Sequence, residues 1–254
     1  MITSPDNEKL KLVRRLARKK YRERLGLFVT EGEDLARAGL AAGFRPELLL
    51  VHQDLESLGG SEPSHHAVDD LPALERVEPD LLDRVSALGS GTRVIGVWPQ
   101  RWGQAGELDG VCLFLDSVGD PGNVGAIVRT ADALLEATVV LGPGCADPWA
   151  PGSVRASMGS VFGRPLVRAE IGQTPEPRIA MVVEGGERPG PRPAPVTVCL
   201  GSEREGLTRA VLDECEAKWT VPQRKGSAES LNVAAAAAIA CERISSPVAA
   251  AETS

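Results

Sequence analysis

The chain has 254 residues, 43% of them hydrophobic and 25% charged, the balance of a globular protein of one or two domains with a full core in each. No run approaches the ~18 apolar residues of a membrane span, the polar N-terminus is unlike a secretory signal, and five widely spaced cysteines offer no metal spacing, so a cytoplasmic protein with reduced thiols and no metal is expected. The net charge of −7 is unevenly spread: residues 1–25 hold nine Lys/Arg against Asp6, Glu8 and Glu23, so this end is +6 and the rest of the chain −13.

Ser4-Pro5 reads as a cap and first helical position, and Leu10, Val13, Ala17 and Tyr21 recur at helical spacing behind it. The other faces carry Arg14, Arg15, Arg18, Lys19, Lys20 and Arg22, with Lys9, Lys11 and Arg24 beside them. They form either a solvated helix face or a patch that attracts RNA phosphates through counterion release. A merely solvated face would intersperse acidic residues, and after Glu8 only Glu23 does so here. Strands are predicted at 27–29, 47–51 and 92–98, and helices at 32–42 and 78–88. The alternation indicates a small α/β domain. Residues 54–66 are polar, and the adjacent His65-His66 pair has no carboxylate or cysteine at ligand spacing.

A polar, glycine-containing linker (98–108) separates residues 1–97 from a second domain, 109–254. There the order strand, loop, helix repeats: strand 111–116, a helix from Asn123 to Leu135, strand 137–141, a helix over 152–161, and strands 165–168, 179–183 and 196–200. A helix over 207–215 and a strand over 219–221 follow, and Ser230 or Asn232 opens an alanine-rich helix to Ile244. A mostly parallel sheet with helices on both faces, and ligands at the carboxyl ends of its strands, is the architecture implied.

Three strand-end loops are chemically unusual. The first runs from Asp116 to Asn123 and is followed by Arg129; an Arg turned inward from this apolar helix needs a carboxylate or an anionic substrate. Its glycines do not have the G-x-G-x-x-G spacing of a dinucleotide fingerprint, and Pro121 interrupts them. The second, Leu200 to Leu207, supplies Glu203 between Gly201 and Gly206, and is otherwise an acidic helix N-terminus. The third, Val221 to Val233, ends a strand at Pro222 and caps a helix whose small side chains admit close backbone packing.

Together DPGNVGAIVRTA, LGSEREGL and VPQRKGSAESLNV resemble, in order and spacing, the motifs of the SpoU-type (TrmH-like) RNA 2′-O-methyltransferases of the SPOUT superfamily. The resemblance covers essentially the whole chain, residues 1–97 being similar to the accessory RNA-binding domain of ribosomal-protein L30e/L7Ae type, including KKYRERLGLFVTEG. It implies a deep trefoil knot, a homodimer, and S-adenosylmethionine held by Leu200, Gly201, Val221, Pro222, Gln223, Ser230 and Leu231. Asn123, Arg129, Glu203, Ser230 and Asn232 would form the catalytic set. A guanidinium is effectively always protonated, so Arg129 is expected to bind the phosphate and stabilise the developing alkoxide while phosphate or water takes the proton. Asn123 would orient Arg129 or the ribose, with Glu203 fixing that network. The chain departs from the family pattern at Gln223, commonly methionine, at the added charges Arg224 and Lys225, and in the compressed stretch 169–195. The expected activity is transfer of a methyl group to a ribose 2′-OH, with ribosomal RNA favoured. The alternatives are tRNA as substrate, or a non-catalytic RNA-binding or ribosome-assembly protein.

Overall fold

The computed structural model describes residues 1–58, 71–87, 89, 91–224 and 230–245; His65-His66, Leu88 and Lys225 lie outside the described residues. It divides into two compact units, Met1–Arg101 with Asp147–Gly163, and Trp102–Ala146 with Arg164–Ser254. Sequence order groups 147–163 with the second half of the chain, whereas its packing places it in the first unit.

The chain begins α1 (Glu8–Leu16), α2 (Lys19–Leu25), β1 (Leu27–Glu31), α3 (Glu33–Ala41), β2 (Leu48–His52), β3 (Leu74–Val77), α4 (Pro79–Val85) and β4 (Val94–Pro99). It continues β5 (Val111–Asp116), α5 (Pro121–Leu135), β6 (Thr138–Leu141), α6 (Pro151–Ser157), β7 (Val167–Arg168), β8 (Arg178–Met181), β9 (Val196–Gly201), α7 (Arg209–Asp213), β10 (Ala217–Trp219) and α8 (Val233–Ser245).

In the first unit a four-stranded sheet has the order β1-β4-β2-β3. Side chains alternate across a strand, and so Val29, Leu48, Leu50, Ile95 and Val97 face Leu10, Val13 and Leu16 of α1 and Leu81, Leu82 and Val85 of α4 in one apolar cluster. Phe28 and Trp98 belong to a second, aromatic cluster. The Phe162 ring lies 5.5 Å from that of Phe28 and 5.1 Å from that of Trp98, and Trp149 lies 4.7 Å from Phe28. These contacts hold the segment 147–163 to the first unit.

The single N-terminal helix expected from Ser4-Pro5 is two helices. Asn7 caps α1 by accepting from Lys9 N, and extended backbone at Arg18 (φ −100°, ψ 129°) separates α2 from it. The break lets Arg22 turn inward. Its Nη1 donates to the carbonyls of Leu16 (2.8 Å) and Ala17 (2.9 Å), capping the end of α1. Its Nε and Nη2 donate to Asp147 Oδ2 at 2.8 and 2.7 Å. Arg22 is 3% and Asp147 8% exposed. Arg22 is therefore a buried structural cation, which removes it from the phosphate-binding patch expected of it. Its truncation strands a buried carboxylate, so Arg22→Ala is expected to destabilise the first unit by about 3–5 kcal/mol. Chemical denaturation checks this, and a loss below about 1 kcal/mol, the range of an exposed pair, would contradict it.

In the second unit six strands, all paired in parallel, have the order β10-β8-β9-β5-β6-β7. Cys112, Phe114, Val140, Val167, Ala180 and Cys199 pack with Leu207 and Val211 in one cluster. The alternate residues Leu113, Leu115, Val198 and Leu200 are buried too, and α5 and α8 pack on each other and on β6 and β9. Gly125 and Ala131 of α5 and Ala237 and Ala240 of α8 are buried, so small side chains on both helices suit a close approach. The linker is docked rather than free: Trp102 forms a parallel bridge with Leu166, Gly103 N donates to Leu166 O at 2.9 Å, and the Arg168 guanidinium lies 4.2 Å from the Trp102 ring centre. The stretch 169–195 contains a 3-10 turn, Ile171–Gln173, closed by a Glu170/Gln173 capping box, and β8.

Candidate active site

The site is built at the carboxyl ends of β5 and β9, where parallel sheets place ligands. Beyond β5 the chain turns at Ser117, in the left-handed region at φ +57°. Asp120 then caps α5, its Oδ1 accepting from Asn123 N at 2.9 Å, and Pro121 occupies the first helical turn, where its missing N–H costs nothing. The helix expected from Asn123 therefore starts two residues earlier, at Pro121.

The loop after β9 is tight. Ser202 and Gly206 exchange two backbone hydrogen bonds of 3.0 Å each, with Gly206 at φ +71°. A Cβ at Gly201 would stand 2.2 Å from the Gly206 carbonyl carbon and 2.3 Å from Leu207 N, so only glycine allows the loop to fold back on its own strand. This presents Glu203 to Asn123, whose Nδ2 donates to Glu203 Oε1.

On the third loop Asn232, rather than Ser230, caps α8. Its Oδ1 accepts from Ala234 N (2.9 Å) and Ala235 N (3.4 Å), and its Nδ2 donates to Asn123 Oδ1 at 2.9 Å. Glu203, Asn123 and Asn232, 80 and 109 positions apart along the chain, thus form one hydrogen-bonded line with the Asn123 amide at its centre.

A cavity of about 360 Å³ lies beside this line, lined by Leu200, Gly201, Ser202, Glu203, Val221, Gln223, Ser230 and Leu231 together with Met181, Val182, Val183, Arg204, Glu205, Gly206, Val233 and Ala236. Its volume falls in the ~300–1,000 Å³ range of small-molecule sites. The apolar side chains of Leu200, Val221 and Leu231 and the backbone of 201–206 suit a ligand with one flat apolar part and several polar edges. Six of the seven residues expected to hold S-adenosylmethionine line it. The exception, Pro222, lines a separate groove with Val221, Leu134 and Ile239. The residues of β8 and its carboxyl end, Met181 to Val183, were missed in the sequence because no motif marks them, although their position at a strand end would have found them.

Arg129 stands apart. It is exposed, six residues beyond Asn123, hence about 9 Å further along α5 and about 120° around it, and among the described residues its side chain has no hydrogen bond or ion pair. The inward Arg with a structural partner is corrected: the guanidinium faces solvent, where its charge needs no compensation. The Asn123 amide is bonded to Glu203 and Asn232, and among the described residues it makes no hydrogen bond with Arg129, the residue it was expected to orient.

Cys199, one residue before Leu200, lies 3.7 Å from Cys215, Sγ to Sγ. The hydrogen bond with Cys215 and burial push the Cys199 thiol up, and the same bond holds Cys215 below the ordinary thiol range. Burial pushes Cys241, on α8, up to about 12. The thiol next to the cavity is therefore disfavoured as a thiolate.

In the first unit Arg14, Arg15, Arg18, Lys19 and Lys20 are exposed. Arg14 donates to Pro5 O at 3.1 Å, Arg15 and Lys19 make long pairs of 4.0 and 3.8 Å with Glu8 and Glu23, and Lys20 and Arg24 lie 5.0 and 4.9 Å from the Tyr21 ring centre. Exposed pairs of this kind are weak and leave the surface positively charged.

Comparison with known proteins bears on the whole chain. Residues 110–242 match the SpoU rRNA Methylase family and residues 7–96 the MRM3-like substrate binding domain. The 23S rRNA (guanosine(2553)-2′-O)-methyltransferase RlmP of Bacillus subtilis (strain 168) is 31% identical over 94% of this chain and 96% of its own length. The crystal structure of an rRNA methyltransferase from Sinorhizobium meliloti superposes with a TM-score of 0.81 at 27% identity, covering 96% of each chain. The AdoMet-bound structure of an rRNA methyltransferase from the same organism gives 0.80 at 27% identity, again over 96% of each chain. On its fold, its strand-end loops and this match over most of its length, the chain belongs to the SpoU rRNA methylase family.

Proposed function

We propose that the protein is an S-adenosylmethionine-dependent RNA methyltransferase acting on a ribose 2′-OH of ribosomal RNA. The observation that carries the reading is the line Glu203–Asn123–Asn232, joined through Glu203 to a cavity lined by six of the seven residues expected to hold the cofactor. When bound, S-adenosylmethionine supplies a methyl group already activated on a sulfonium, so this chain needs no covalent intermediate. Leu200, Val221 and Leu231 would flank its apolar part, with Gly201 and Gln223 beside them. Asn123, held at both ends of its amide, is fixed to orient the ribose, and positioning of this kind carries much of the rate. Arg129, exposed and uncommitted, binds the substrate phosphate and stabilises the developing alkoxide, the proton passing to phosphate or water. Ribosomal RNA is favoured over tRNA by the substrates named for its relatives. The knot and the homodimer belong to the same reading as properties that membership of the family implies. A cytoplasmic location belongs to the same reading, supported by the ribosomal RNA named as substrate for its relatives.

Calorimetry with S-adenosylmethionine tests the reading and separates it from a non-catalytic RNA-binding protein: micromolar binding, weakened by substitutions in the cavity, is expected, and no binding would contradict it. For the first unit, replacing Arg14, Arg15, Arg18 and Lys19 with Ala is expected to weaken RNA binding and to flatten its logarithmic salt dependence by about 0.7–0.9 for each phosphate no longer neutralised. Filter binding across a salt series measures this, and an unchanged slope would return these residues to a solvated surface.

A further inference from the structure

Asp116 ends β5 and is 3% exposed. A buried carboxylate is costly unless its oxygens are paired, and among the described residues no Lys or Arg pairs with this one. Its Oδ2 instead accepts from Thr208 N at 2.6 Å, a short, charge-assisted bond, and its Oδ1 takes a weak 3.4 Å bond from Ser117 Oγ. Thr208 is the cap of α7, the residue at which the loop after β9 ends. The other end of that loop, Gly201, is the β-ladder partner of Asp116 itself. One residue therefore holds both ends of the loop, its backbone beside Gly201 and its side chain on Thr208. Between them lies Glu203, and the close approach of Gly201 to Gly206 and Leu207 leaves the loop no slack. From the same strand end, four residues on, Asp120 caps the helix that carries Asn123.

We propose that Asp116 is a positioning residue for methyl transfer, its carboxylate fixing the 201–208 loop so that Glu203 meets Asn123. The proposal rests on the function proposed above. It accounts for a buried charge with no cationic partner, because the acceptor is needed where two catalytic loops diverge. The residue lies outside the lining of the cavity and acts through Glu203.

A double-substitution cycle tests it, with total ribosomal RNA from a strain lacking the gene as methyl acceptor and labelled S-adenosylmethionine as donor. Asp116→Ala is expected to lower kcat on the order of 100-fold, the effect of misplacing a positioned group by about 1 Å, with the KM for RNA unchanged. Asp116→Asn keeps an acceptor for Thr208 N and is expected to stay within about fivefold of wild type, the worth of one weakened hydrogen bond. In the Glu203→Gln background the Asp116→Ala loss should largely vanish, because the group being positioned is already altered. Losses that multiply, a silent Glu203→Gln, or a fall in Asp116→Asn equal to that in Asp116→Ala would overturn the proposal. If Asp116→Ala does not fold, Asp116→Ser, too short to reach Thr208, takes its place in the cycle. A wild-type protein that transfers no methyl group to any RNA would instead refute the function itself.

Discussion

Arg129→Lys is expected to lose turnover on the order of 10²-fold while S-adenosylmethionine binds with unchanged affinity. Two facts make the substitution informative. Arg129 is exposed and, among the described residues, unpartnered, so its replacement disturbs no packing and should shift stability by less than about 0.5 kcal/mol. It also lies outside the lining of the cavity, so the cofactor does not depend on it. A loss of rate can then come only from the substrate side, where a planar fork of donors matches a phosphate or a developing alkoxide and a single ammonium does not. Single-turnover methylation with calorimetry on the same preparation separates the two effects. Near-normal methylation would remove Arg129 from the mechanism.

Gly201→Ala is expected to weaken cofactor binding severely. The added carbon would lie 2.2–2.4 Å from three backbone atoms of Gly206 and Leu207, and backbone cannot swing aside as a side chain can. The loop must open, breaking the two Ser202–Gly206 hydrogen bonds and withdrawing Glu203 from Asn123. Overpacking of well-packed sites typically costs about 1–3 kcal/mol, and here that strain falls on the cavity wall. Affinity for S-adenosylmethionine should fall at least on the order of 100-fold, the equivalent of about 3 kcal/mol, while RNA binding through the first unit persists. An Ala variant that binds the cofactor as well as wild type would show that the loop is not the wall of the site.

The six-stranded sheet was legible because its strands are apolar runs followed by polar loops, the pattern of a parallel sheet buried on both faces. β3 was not: Leu74-Glu75-Arg76-Val77 carries two charges, as an edge strand does, and no apolar run announces it. Strand β10 was expected at 219–221 and lies at 217–219, because Trp219 rather than Val221 is its buried anchor. The helical period held for Leu10 and Val13 but not through Ala17, which is exposed, and it did not reveal that the helix would break at Arg18 and let Arg22 meet Asp147, 125 residues away. Nor did it show that a ring of Phe28, Trp98, Trp149 and Phe162 would draw 147–163 into the first unit. Side-chain pairs this far apart leave no trace in local periodicity. The candidate site was found by its three loops, while the hydrogen bonds that join them, and the place of Asp116 beneath them, required coordinates.

The most direct test is to map 2′-O-methyl groups across total RNA from a strain lacking the gene and from its parent. Loss of one site in ribosomal RNA is predicted, restored by the wild-type gene and not by Arg129→Ala. Identical maps in the two strains would contradict the account.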